Sequence, residues 1–141
     1  MASRKIPDAV RRQVRERAGG RCEYCQAAEW LMGIFFTLDH IIPRARDGGD
    51  EIDNLCLACG SCNTFKHDCT TGVDPETKRE APLFHPRQQR WDEHFVWSDN
   101  GTQIIGLTPC GRATVERLKM NHALIVMARA IWVSVGRHPP F

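Results

Sequence analysis

Two pairs of cysteines, Cys22 with Cys25 and Cys59 with Cys62, constrain this chain more than any other feature of it. A Cys-x-x-Cys turn aims two thiolates at one point, and two such turns supply the four soft ligands of a closed, tetrahedral zinc site. The chain has seven cysteines, and residues 1–20 are arginine-rich with no apolar run of the kind that directs export. Thiols kept reduced in a cytoplasmic protein are therefore expected, and a metal site rather than a disulfide framework. Spacing leaves one register question open, because Cys56 and Cys59 are spaced like the other pairs. Cys56 lies between Leu55 and Leu57, where a buried inert thiol is the better reading. Structural Zn2+ is thus expected on Cys22, Cys25, Cys59 and Cys62.

The 141 residues suit a single domain with one functional site, read here as 1–141, with a core at 20–69 and a packed extension at 70–141. A hydrophobic share of 42% and a charged share of 26% are those of a globular chain, not of a disordered one. The most apolar stretch, residues 123–135, contains Arg129 and is too short to span a bilayer. It reads as a buried helix, with no membrane partner. A net charge of +2 is a weak lure for a polyanion, so the placement of the cations matters more than their sum.

Local signals outline the elements. Pro7 and Asp8 open a helix over residues 7–18, Val10, Val14 and Ala18 stripe it, and Gly19-Gly20 close it. Residues 34–38 have strand composition and deliver Asp39-His40, after which residues 44–53 form a polar loop. A short apolar run at 55–57 precedes the second cysteine pair, and residues 63–68 suit a helical turn. Three prolines and mixed charge make 70–86 a surface connector. Asp99-Asn100-Gly101 between two apolar runs predicts a hairpin, Thr108-Pro109 caps a helix, and residues 122–135 give another.

The string LDHIIPRARDGGDEIDNLCLACGSCNTFKHD, with RCEYC ahead of it, closely resembles the core of the HNH endonuclease family. The resemblance covers residues 21–68 and implies an α+β fold, a zinc-stabilised ββα-metal core with a C-terminal extension containing a hairpin and helices. The family's three letters fall on His40, Asn54 and Asn63, an HNN variant. The stretch from Leu83 onward is similar to an extension found in a subset of small stand-alone bacterial HNH proteins.

Phosphodiester hydrolysis needs an activated water and a cation near the phosphate. Asp39 and Asn63 offer hard oxygen donors suited to Mg2+ or Mn2+, and His67, four residues after Asn63, is a candidate further ligand. His40 has the side chain best suited to act as general base. Asn54 is expected to bond across to the His40 segment and hold the ring in line. Arg44, Arg46 and Lys66 are the candidate phosphate contacts nearest the site, with Arg4, Lys5, Arg11, Arg12 and Arg15 further off. Trp91, Phe95, Trp97 and Trp132 read as packing residues. The expectation is a DNA endonuclease, monomer or homodimer, with RNA open as a substrate. Its alternatives are a non-catalytic zinc-stabilised nucleic-acid-binding module and a ribonuclease or toxin.

Overall fold

The computed structural model describes residues 5–141, so Arg4 lies outside the described residues. Helix α1 (Asp8–Ala18) has Pro7 at its N-cap, an acidic residue in its first turn where the helix dipole favours it, and Gly19 at φ 64° as its left-handed stop. Val14 is fully buried. Two of its arginines are structural. Arg15 donates to the Glu29 carboxylate at 3.2 Å and to the carbonyl of Phe36 at 3.2 Å, while Arg17 donates to the carbonyls of Ile52 and Leu55 at 3.2 and 2.6 Å. They strap α1 across the segment that follows, so Arg15, expected at a phosphate, has its fork turned to the protein.

The short helix α2 (Glu29–Met32) ends at Gly33 and leads to strand β1 (Thr37–His40). That strand pairs antiparallel with β2 (Leu55–Ala58), placing Asp39 opposite Cys56 and His40 opposite Leu55. The strand expected at residues 34–38 therefore starts late, since β2 has no partner to offer before Thr37; Ile34 and Phe35 are left 63% and 80% exposed. Every residue of β2 is buried. Helix α3 (Gly60–Lys66) springs from Cys59, whose sulfur accepts from the Cys62 amide, and lies against β1.

Residues 70–86 do not form a plain connector. They contain a hairpin, β3 (Thr71–Val73) with β4 (Glu80–Pro82), whose Gly72 lies so close to α5 that a Cβ there would come within 3.2 Å of the Ala113 carbonyl oxygen and of Arg117. Asp74, fully buried beside it, takes both Nε and a terminal nitrogen of Arg112 at 3.0 Å. A short helix, α4 (Trp91–His94), then leads into β5 (Phe95–Trp97), which pairs with β6 (Ile104–Gly106) around a tip where Gly101 holds φ 74°. Thr108 caps α5 (Pro109–Arg117) by accepting from the Gly111 amide at 3.0 Å. The sheets are all two-stranded among the described residues.

The last helix, α6 (Ala123–Ser134), corrects the reading of residues 123–135 as buried. Arg129 and Trp132 are the residues that point inward, at 1% and 8% exposure, whereas Leu124, Met127, Ile131 and Val135 are 73%, 63%, 65% and 62% exposed. The cause is the guanidinium. Arg129 donates to the carbonyls of Thr102 and Met120 and to the Asn121 amide oxygen at 3.0, 2.7 and 3.1 Å, and lies over the Trp97 ring. A buried charge so fully bonded fixes which side of the helix faces in.

The extension is bonded to the cysteine segment. Trp91 donates its indole N–H to the Tyr24 carbonyl at 2.8 Å, and Arg87 forms an ion pair with Glu23. Trp91 packs tilted against Phe95 and Trp97 at centroid distances of 5.0 and 5.5 Å, which uses all three in packing. Among the described residues no helix is long and apolar enough to cross a membrane.

Candidate active site and metal centre

The ligand atoms of Cys22, Cys25, Cys59 and Cys62 all lie within 4.8 Å of one another, and all four residues are buried. Two amides turn toward these sulfurs, Cys25 N to Cys22 Sγ at 3.5 Å and Cys62 N to Cys59 Sγ at 3.4 Å. The Cys25 and Cys59 sulfurs are 3.8 Å apart, close to the edge of a tetrahedron built on Zn–S bonds of about 2.3 Å. The cluster is compatible with structural zinc. Its register excludes Cys56, whose thiol lies instead 3.8 Å from Asp39 and is pushed up in pKa by burial.

Asp39 projects from β1 into the protein, 4% exposed. Its Oδ2 accepts from the Tyr24 hydroxyl at 2.7 Å and from the Lys66 ammonium at 3.1 Å, while Oδ1 has only a longer contact with Lys66 at 3.4 Å. Burial drives the Tyr24 hydroxyl well up, which keeps it a donor. Lys66 also donates to the His40 carbonyl at 3.0 Å and is itself 1% exposed. This corrects its expected place as a phosphate contact. An ammonium this deep is retained because a carboxylate and a carbonyl replace its water.

His40, next along the strand, points the other way, as alternation requires. Its Nε2 lies 2.8 Å from Asp50 Oδ1, and both side chains are about one-fifth exposed, at 19% and 20%. The same oxygen accepts from Arg44 at 2.9 Å. Hydrogen bonds from His40, and then the charge of Arg44, hold the Asp50 carboxyl below its ordinary pKa. An ionised Asp50 accepts a proton-bearing Nε2, so the neutral ring carries its lone pair on Nδ1.

The loop between the strands returns Asp50 to His40. Gly48 packs so tightly on the carbonyls of Ile42 and Pro43 that a Cβ there would overlap both. Asn54 closes the base, with Oδ1 accepting from Ile42 N at 2.8 Å and Nδ2 donating to the carbonyls of Ile42 and Gly49 at 2.9 and 2.8 Å. Its contacts are thus with backbone on either side of the loop. Arg46 donates to the Asp68 carbonyl at 2.7 Å and is otherwise exposed.

Asn63 lies one turn before Lys66 on α3 and is half-buried. His67 is not aligned with it. The helix ends at Lys66, and His67 takes φ 52° with its ring 75% exposed and bonded to Asp68 at 3.0 Å. Four-residue spacing aligns two side chains only while the helix continues. Sequence reasoning also missed Asp50 and Tyr24. A carboxylate just after a glycine pair was the available signal for Asp50; Tyr24, inside the first cysteine turn, offered none.

Residues 22–69 match the family model described as HNH endonuclease. No curated protein matches the chain, and no solved structure does. The matched segment runs from the first cysteine pair through β1, the loop, β2 and α3, and so contains every group described above. An HNH domain points to a nuclease or nucleic-acid-binding function.

Proposed function

We propose that the protein is an endonuclease that hydrolyses phosphodiester bonds in DNA, built on a zinc-stabilised ββα-metal core. The observation that carries this reading is the His40–Asp50 pair at 2.8 Å, set on the strand that also bears Asp39. Asp50 orients the ring, and Nδ1 takes a proton from water as the water oxygen attacks phosphorus and the bond to the 3′ oxygen breaks. Tethering such a base contributes a rate factor of about 10²–10⁴. Asn54 positions rather than reacts, holding the segment after His40 to the root of the loop.

A divalent cation would be held by Asp39 and Asn63. Asp39 Oδ1 has lone pairs to spare, and the Asn63 amide has no side-chain hydrogen bond among the described residues. Two hard oxygens with room for water favour Mg2+ or Mn2+. Bound there, the cation would supply positive charge to the phosphate and the departing oxygen. Repulsion from the Lys66 ammonium lowers its affinity until substrate brings negative charge. Arg44 and Arg46, both exposed on the loop, would be the cations that meet phosphate.

The Lys66–Asp39 pair favours one other reading. Where a lysine already neutralises the carboxylate, the fold could serve as a non-catalytic nucleic-acid-binding module. Incubating supercoiled plasmid with the purified protein and Mg2+ or Mn2+ separates the two. Wild type is expected to nick or linearise it, His40→Ala to lose about 10²–10⁴-fold in rate and Asp50→Asn about 10–100-fold, all with unchanged melting temperature. Equal cleavage by wild type and His40→Ala rejects this base; shifted DNA mobility without cleavage supports the binding module. A parallel arm with single-stranded RNA tests the ribonuclease alternative.

A further inference from the structure

Leu124, Met127 and Ile131 on α6, with Val135 at its C-cap, recur at intervals of three and four, the seam of a helix that packs on another helix. The helix has one charged residue, Arg129, and it is buried, so the outward face is uncharged along its length. At the N-terminal end of the seam, Leu124, Ile125 and Ala128 join Met32 around an apolar cavity of about 300 Å³ with cluster cysteines on its wall. Within three residues of Met32 in the chain, Trp30, Ile34 and Phe35 line a second recess and are 59%, 63% and 80% exposed, with the Arg15 guanidinium over the Phe35 ring.

We infer that this face is where two copies of the chain pair. Seven side chains, each with roughly 100–150 Å² of surface in water, present about 900 Å² together, near the ~800 Å² per partner of a specific interface and above the 300–600 Å² of a typical largest monomer patch. The patch holds a protruding ring, Phe35, and a recess, so it has the knob and the hole that a two-fold interface needs on one surface. Its uncharged seam pairs with itself without placing like charges together. A lipid surface is a poorer match, because interfacial helices carry Lys and Arg beside the apolar face and α6 exposes neither. His40, Arg44 and Asp50 sit at the other end of β1 from Phe35, so pairing leaves them open. This inference does not depend on the nuclease reading.

Sedimentation of the zinc-loaded protein over a range of concentrations tests it. Wild type is expected to run at twice the mass of one chain at micromolar concentration. Met127→Glu/Ile131→Glu should raise the dissociation constant at least about 100-fold while leaving zinc content and the circular dichroism spectrum unchanged, since both side chains are exposed. Mixing that variant with Met127→Lys/Ile131→Lys should restore a one-to-one pair. A wild type that stays single at 100-fold higher concentration overturns the inference, as does a glutamate variant that still pairs. Binding of single-chain protein to neutral or anionic vesicles would assign the face to lipid instead.

Discussion

Strand, strand, helix recurs along this chain, and two of its versions are held together by different means. In β1, β2 and α3 the joint is a cluster of four thiols, with side chains spent on backbone in the loop above it. In β5, β6 and α5 the joint is contact: Gly106 and Gly111 let the helix backbone approach the strands, and Phe95, Ile104 and Ala113 fill what remains. A joint of thiols, compatible with zinc, sits beside a strand that carries a carboxylate inward and an imidazole outward. In the packed unit the polar groups are caps and pairs.

Removing the metal should break the comparison most severely. Structural zinc contributes on the order of 10 kcal/mol or more to folding, so a strong chelator, or Cys59→Ser, is expected to abolish the cooperative melt, followed by circular dichroism alongside zinc content. A soluble, zinc-free Cys59→Ser protein with native melting would show that the thiols are not the joint. Next in size, Phe95→Ala should cost about 3–5 kcal/mol by denaturant titration, since the ring is 1% exposed. Its effect on cleavage per folded molecule should be slight, and a loss as deep as that of His40→Ala would mean the two units are not separable in function.

The smallest effect is on pH, and it belongs to the packed unit. Burial, and then Arg129, lowers His138 to about 4, so the folded protein holds it neutral while the unfolded chain takes up a proton near 6.5. Its contribution is present above 6.5 and lost as pH falls toward 4, at most about 3 kcal/mol. Asp74, depressed by Arg112, works lower: its contribution holds above the ordinary carboxylate range and is lost below it. Melting temperatures of wild type and His138→Leu between pH 7 and 5 separate this from proton uptake at the thiols. Parallel curves would remove His138 as the titrating group.

What could be read in the sequence was what neighbouring residues settle among themselves. The cap at Thr108, the glycine stop after α1 and the Asp99-Asn100-Gly101 tip are of this kind, and so is the cysteine spacing. What could not be read depends on partners far along the chain. Residues 71–82 pair because α5 supports Gly72, a contact no local pattern announces. Arg129 turned α6 inside out through acceptors contributed by the β5–β6 tip and the segment between α5 and α6. At the site, the order Asp39, His40, Asn54, Asn63 was legible. That Lys66 would fold inward onto Asp39, and Asp50 back onto His40, was not, because each closes a loop in space.

The Asn54 amide bonds to backbone on both sides of the loop and so fastens its two roots to each other. The exposed stretch around Ala45 and Arg46 can then lengthen, shorten or change composition with its anchor points fixed. The loop thus becomes an interchangeable cassette, whose outer stretch can be exchanged while the imidazole keeps its place.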